Sequence, residues 1–247
     1  MSIKTIITKR VLPVIGLMFV AAMVWVNLPA RAQETTAVNI IRNPNFESWP
    51  AGDYFTNIPH KTETAEDWVW GKGSAVSTWD VYKSIDAPEG YEQSAKIEVL
   101  AGEATAPSGS NPHLRYMFFG YEVAQMKGKE FDLSFWVKSS LAGTHSFVLH
   151  NPRVAGMRTI AKEYNIAAPH VWERKTVRVN VENGTYEPGV GGGLKMRFCF
   201  GASPGYSIQP NTWINGNYVC SVNQVALYKT TDNYINFAGV EMVEVQQ

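Results

Sequence analysis

The stretch Phe131-Asp132-Leu133-Ser134-Phe135-Trp136-Val137-Lys138 decides the fold class. Phe131, Leu133, Phe135 and Val137 recur at every second position, with Asp132, Ser134, Trp136 and Lys138 between them. An extended strand places alternate side chains on opposite faces, so this segment reads as a strand with one face in a core. Trp136 then points the other way.

Two further segments share the habit. Val177, Val179 and Val181 alternate with Trp172, Arg174, Thr176, Arg178 and Asn180; Leu194, Met196, Phe198 and Phe200 alternate with Lys195, Arg197 and Cys199. Placed in one sheet, the three strands have an apolar inner face and an outer face carrying Trp136 and Trp172 among Asp132, Arg178 and Arg197. A flat ring covers the C–H face of a sugar while charged and amide groups serve its hydroxyls, so this mixture is a candidate glycan site. The plain alternative is that the two indoles lie under a loop, the N-terminal segment or a second copy of the chain.

Gly, Pro and Asn punctuate the runs, as at Lys127-Gly128-Lys129, Asn183-Gly184 and Ser203-Pro204-Gly205, and no long helical pattern interrupts them. Glu34 to Asn111 is less regular and reads as a first strand, long loops and a strand near Ala95 to Val99. Trp70 and Trp79 fall in its Gly- and Ser-rich parts, where a loop aromatic either grips a ligand or plugs the end of the sandwich.

At the N-terminus Lys4, Lys9 and Arg10 precede an apolar run from Val11 to Trp25, and Ala30-Arg31-Ala32 offers small residues for cleavage. The reading is a signal peptide over 1–32 and a secreted, periplasmic or extracellular mature chain over 33–247. An uncleaved anchor is the rival and the only route to a membrane, but Pro13, Asn27 and Pro29 interrupt the span. Removing 1–32 takes four bases and no acid from 22 of each, leaving 18 basic against 22 acidic residues, a net charge of −4. No basic stripe is available for phosphates, which excludes nucleic acid as an expected partner. The remaining length suits a single all-β domain, with no internal repeat or linker to divide it. Cys199 and Cys220 are the only cysteines. In an exported chain they are compatible with one disulfide, or with two buried thiols.

The opening Asn43-Pro44-Asn45-Phe46-Glu47-Ser48-Trp49 with Glu66-Asp67-Trp68 resembles that of jelly-roll carbohydrate-binding modules and their relatives in bacteriophage tail proteins. Gly128 to Ser140, Trp172 to Thr176 and Gly193 to Phe198 continue the likeness, as do Asn211 to Tyr218, Asn223-Gln224-Val225 and Phe237 to Met242. The last three are similar in order and spacing to phage tail-fibre and virion-associated jelly rolls. The resemblance spans about residues 39 to 244. It implies a two-sheet antiparallel jelly-roll sandwich used for attachment or architecture, without catalysis. An export signal departs from phage structural proteins and favours a secreted cellular relative. The resemblance also implies a structural calcium ion. Glu47 matches its first acidic ligand, whereas the second falls near Ala238 or Gly239, so Glu241 or backbone carbonyls would complete the shell.

Catalytic chemistry finds no support. Asp132 with Glu130 or Glu173 is the nearest approach to a glycosidase pair, and nothing singles it out among the chain's acids. His60, His113, His145, His150 and His170 show neither zinc-helix spacing nor a nucleophile elbow. The expected function is a secreted, non-catalytic carbohydrate-binding adhesion module. The alternative is a subunit of a virion, fibre or extracellular filament that self-assembles as a homo-oligomer.

Overall fold

A computed structural model describes residues 38–105, 107–152, 157–184 and 193–246. The leader lies outside the described residues. In chain order the elements are β1 (Tyr54–Phe55), β2 (Thr62–Glu63), β3 (Trp68–Gly73), β4 (Thr78–Ser84), β5 (Ser94–Ala101), β6 (Ser110–Met117) and a short helix α1 (Gly120–Met126). There follow β7 (Glu130–Ser139), β8 (Gly143–Asn151), β9 (Arg158–Ile166), β10 (Glu173–Asn180), β11 (Lys195–Cys199), β12 (Ser207–Ile208), β13 (Ile214–Asn215), β14 (Cys220–Ser221) and β15 (Tyr234–Glu244).

The chain is all-β. One sheet has the order β1-β4-β5-β15-β7-β10 and the other β13-β9-β8-β11-β6-β3-β2, each with antiparallel neighbours, and they face each other as a jelly-roll sandwich. β15 joins β5 to β7 through a bulge between Ala238 and Glu241. Gly239 stands there at φ 55°, and a Cβ would come within 2.4 Å of the Tyr91 hydroxyl, so the residue must be glycine for two reasons.

The alternation of β7 holds along its whole length: Phe131, Leu133, Phe135 and Val137 are buried, and the residues between them are half-buried. Val179, Val181, Leu194, Met196, Phe198 and Phe200 are buried as their spacing requires. Phe198 of one sheet meets Phe237 of the other with ring centroids 4.5 Å apart, and Phe135 packs edge-on to Phe198 at 5.0 Å. Fully burying each such ring contributes on the order of 1.5–3 kcal/mol relative to leaving it in water.

Two expectations are corrected. β11 does not share a sheet with β7 and β10; it lies between β8 and β6 in the second sheet. Period-two alternation fixes which residues share a face of one strand but carries no information on which sheet the strand joins. Trp70 and Trp79 are not loop residues: they sit in β3 and β4, both fully buried. The glycines around Trp70 serve close packing, since a Cβ on Gly71 would approach the His113 ring to 2.5 Å.

Candidate functional site

The outer face of the six-stranded sheet is built by cross-strand register. Tyr54 pairs with Tyr82, Tyr82 with Lys96, Lys96 with Asn236 and Asn236 with Lys138, so these five side chains form one row across five strands. Trp172, immediately before β10, continues the row beyond Lys138. A neighbouring row runs from Ala238 through Trp136 to Arg174, and Asp132 faces Arg178 further along.

Tyr54 is 59% exposed and its ring lies 5.3 Å from that of Tyr82, tilted by 52°. The Lys96 ammonium sits 5.3 Å from the Tyr82 centroid and 4.7 Å from that of Tyr234, while the Tyr82 hydroxyl donates to Glu98 at 2.8 Å. Burial and then the Glu98 hydrogen bond raise the Tyr82 phenol above its ordinary range, so it remains a neutral donor. His170 and the Tyr234 hydroxyl are hydrogen-bonded at 2.8 Å. Sequence periodicity had not reached these tyrosines, because β1 has two residues and β4 follows a Gly- and Ser-rich turn.

Trp136 and Trp172 are both half-buried on this face. The Trp172 indole donates to Asp86 Oδ1 at 3.1 Å and Lys138 Nζ to Asp86 Oδ2 at 2.7 Å, which ties the segment after β4 across the sheet. Burial alone would raise the Asp86 carboxyl, but these two hydrogen bonds outweigh it and hold the group below its usual range. Asn236, in the same row, is fully buried, and its amide donates to Ser94 Oγ at 3.4 Å. Trp172 therefore anchors a loop, whereas the Tyr54 end of the row is open.

Asp132 and Arg178 make a bidentate pair at 2.9 and 2.8 Å, with Glu130 3.9 Å from the same guanidinium. The Arg178 hydrogen bonds hold Asp132 below the usual carboxylate range. A carboxyl held ionised by a fork of donors is unsuited to general acid catalysis. Arg197 is corrected: it lies on the outer face of the other sheet and joins none of these groups.

That second outer face is largely covered. The segment after β11 folds back over it, packing Ile208, Ile214 and Tyr218 against Val148 and Ala161, and Val219 against Cys199. Cys199 and Cys220 are buried there and joined as a disulfide, with Cα atoms 5.6 Å apart. A cavity of about 240 Å³ on this face is lined by Arg115, Arg197 and, from the covering segment, Asn217.

Glu47 and Glu241 line one cavity of about 510 Å³ together with Glu92 and Gln93. Glu241 accepts from Arg174 Nη2 at 2.6 Å, Glu47 accepts from Asn45 at 3.2 Å, and the Pro44 carbonyl accepts from the Val240 amide. Among the described residues no group of three or more His, Cys, Asp or Glu is arranged to hold a metal. Calcium takes six or more oxygens, and here Arg174 already engages one oxygen of Glu241. Among the described residues no helix is long and apolar enough to cross a membrane.

No family model and no curated protein matches the sequence. Solved structures to which the chain is similar include carbohydrate-binding modules. One is a family 4 module, at 13% identity and a TM-score of 0.43, covering 83% of this chain and 99% of that one. A family 22 xylan-binding domain from Paenibacillus barcinonensis gives 10%, 0.41, 80% and 99% for the same measures. A family 11 module from Clostridium thermocellum, in complex with a β-1,3-1,4-mixed-linked tetrasaccharide, gives 8%, 0.40, 78% and 96%.

Proposed function

We propose that this protein is an exported, non-catalytic glycan-binding module that serves adhesion at a cell surface or in an extracellular matrix. The observation that carries the reading is the row Tyr54–Tyr82–Lys96 on the outer face of the six-stranded sheet, with Tyr234, Trp136 and Trp172 beside it. Rings ordered by a sheet, with Lys96, Glu98 and His170 at their edges, provide flat apolar contact and hydroxyl partners without reorganisation on binding. The test is retention of the full-length protein on immobilised polysaccharides and a glycan array. Loss of retention in Tyr54→Ala and Tyr82→Ala with an unchanged fold supports the site. Undiminished retention in both moves the site elsewhere, and no retention on any glycan by the wild type rejects the class.

The second reading is a self-assembling subunit of the phage tail-fibre or filament kind. Its supporting feature is β10, an eight-residue strand that ends the six-stranded sheet and, among the described residues, is paired on one side only. Arg174, Lys175 and Arg178 along it oppose edge-to-edge pairing, as charge on an edge strand does. Molecular mass in solution at high protein concentration separates the two readings.

A further inference from the structure

Arg115 of β6 and Arg197 of β11 stand directly opposite each other across an antiparallel pair, both on the outer face of the seven-stranded sheet. Like charges in that relation are destabilising, and burial makes the repulsion larger. Arg197 is only 7% exposed. Its Nη1 donates to Asn217 Oδ1 at 3.1 Å and to the Tyr218 carbonyl at 3.5 Å, so the segment that folds over the sheet fixes the guanidinium in place. Its Nε is buried with no hydrogen-bond partner, and so is the Nε of Arg115. Burying a charged donor unpaired carries a cost of several kcal/mol in ordinary proteins, and a fold keeps such a group where something else completes it.

Both guanidinia line the 240 Å³ cavity, and no carboxylate does among the described residues. Its other walls point the same way. His60 Nδ1 accepts from the Lys72 and Gly73 amides at 3.0 and 3.3 Å, which leaves Nε2–H as that ring's donor. His113 is held over Gly71, with Nδ1 2.6 Å from the Asn111 carbonyl. Desolvation depresses Arg197 to about 9, with Arg115 adding to the effect, and burial followed by the Arg197 charge pushes His113 well below its ordinary range. These are the responses of a positive cavity that no carboxylate lines among the described residues. Asn111 also lines the cavity, and its side-chain oxygen is buried without a partner. Unmet donors beside one unmet acceptor describe a ligand that brings negative oxygens and a hydroxyl together.

We propose that this cavity is a second binding site, which takes the oxyanion of an acidic sugar, a carboxylate or a sulfate ester, between Arg115 and Arg197. The guanidinium groups take the anionic oxygens, and Asn111 Oδ1 accepts from a hydroxyl of the same sugar ring. The volume is below the ~300–1,000 Å³ of drug-sized sites and admits one terminal or side-branch unit rather than a chain. That the oxyanion is borne on a sugar rests on the glycan-binding reading; that the cavity takes an oxyanion does not.

Isothermal titration of the full-length protein with D-glucuronate, D-glucose and inorganic sulfate tests it. Glucuronate is expected to bind and to raise the melting temperature, with D-glucose inert and sulfate weaker than glucuronate. Arg115→Gln is expected to weaken glucuronate about 10- to 100-fold, as loss of a charged hydrogen-bond partner does. Arg115→Glu supplies an internal counter-charge to Arg197 and is expected to abolish binding while keeping or raising thermal stability, which separates a lost site from a lost fold. Sulfate binding with no preference for glucuronate overturns the sugar assignment. Failure of both anions to bind a folded wild type overturns the site. Retention on neutral polysaccharide in Arg115→Glu reports separately on the six-stranded face, so either reading can fail alone.

Discussion

Trp70 of one sheet and Trp79 of the other meet inside the sandwich, their ring centroids 5.3 Å apart and inclined by 49°. Phe200 packs against both, at 6.0 Å from each. The Trp79 indole donates to Ser77 at 2.9 Å, while the Trp70 indole nitrogen is buried without a partner. The pair is thus a structural joint between sheets rather than a ligand platform.

Trp79→Ala removes the ring and its hydrogen bond and is expected to cost about 3–5 kcal/mol, the range for deleting a buried tryptophan. Equilibrium unfolding in urea checks this through the midpoint at unchanged slope. A cost below about 1 kcal/mol would mean that the ring is not packed between the sheets.

Cys199 and Cys220 close a loop across 21 positions that holds the covering segment on the seven-stranded sheet. Reduction, or the double change to alanine, is expected to destabilise the fold by about 3 kcal/mol on the chain-entropy account for a loop of that length. Thermal unfolding with and without reductant measures it. Because the same segment supplies Asn217 to Arg197, reduction is also expected to weaken any anion bound there.

The core was the legible part of the sequence. In Phe131 to Val137, Val177 to Val181 and Leu194 to Phe200 the apolar period is two, and each residue it assigns inward is buried or half-buried. What the pattern did not hold was partnership between strands. Arg197 looks like a companion of Trp136 until register puts β11 in the opposite sheet, and long-range pairing leaves no local mark. Tyr54 and Tyr82 were invisible for a related reason: a two-residue strand has no periodicity, and its place in the row is set entirely by β4. Trp70 and Trp79 read as loop aromatics because glycines that permit close packing look the same in sequence as glycines that make loops, though packing inward is one of the two roles their sequence allows.

Trp172 has two tasks that substitutions can separate. Trp172→Phe keeps a ring on the face but removes the indole donor to Asp86, and is expected to preserve most glycan retention while loosening the Ile85–Gln93 segment, seen as faster amide exchange there. Trp172→Ala removes both and is expected to lower retention about tenfold if the ring contacts sugar. Equal retention by wild type and Trp172→Ala would confine the sugar contacts to the Tyr54 end of the row.

Acid should unfold the protein through its buried imidazoles. His145 is fully buried, stacks on Tyr164 with ring centroids 5.7 Å apart, and has Nε2 3.0 Å from the Leu141 carbonyl. Desolvation lowers it to about 4, only partly offset by that hydrogen bond, and desolvation with the nearby Arg197 and Lys195 charges takes His150 to about 2. An unfolded histidine protonates near pH 6.5 while these stay neutral, so the unfolded chain binds more protons and stability is lost as pH falls from about 6.5 towards 4. His145 alone is expected to make the fold about 2 kcal/mol less stable at pH 5 than at pH 7, with His150 acting in the same direction. Urea midpoints measured across that interval test this, and His145→Gln should flatten the slope there. A midpoint that stays level between pH 7 and pH 5 would show that neither ring is as dry as its packing indicates.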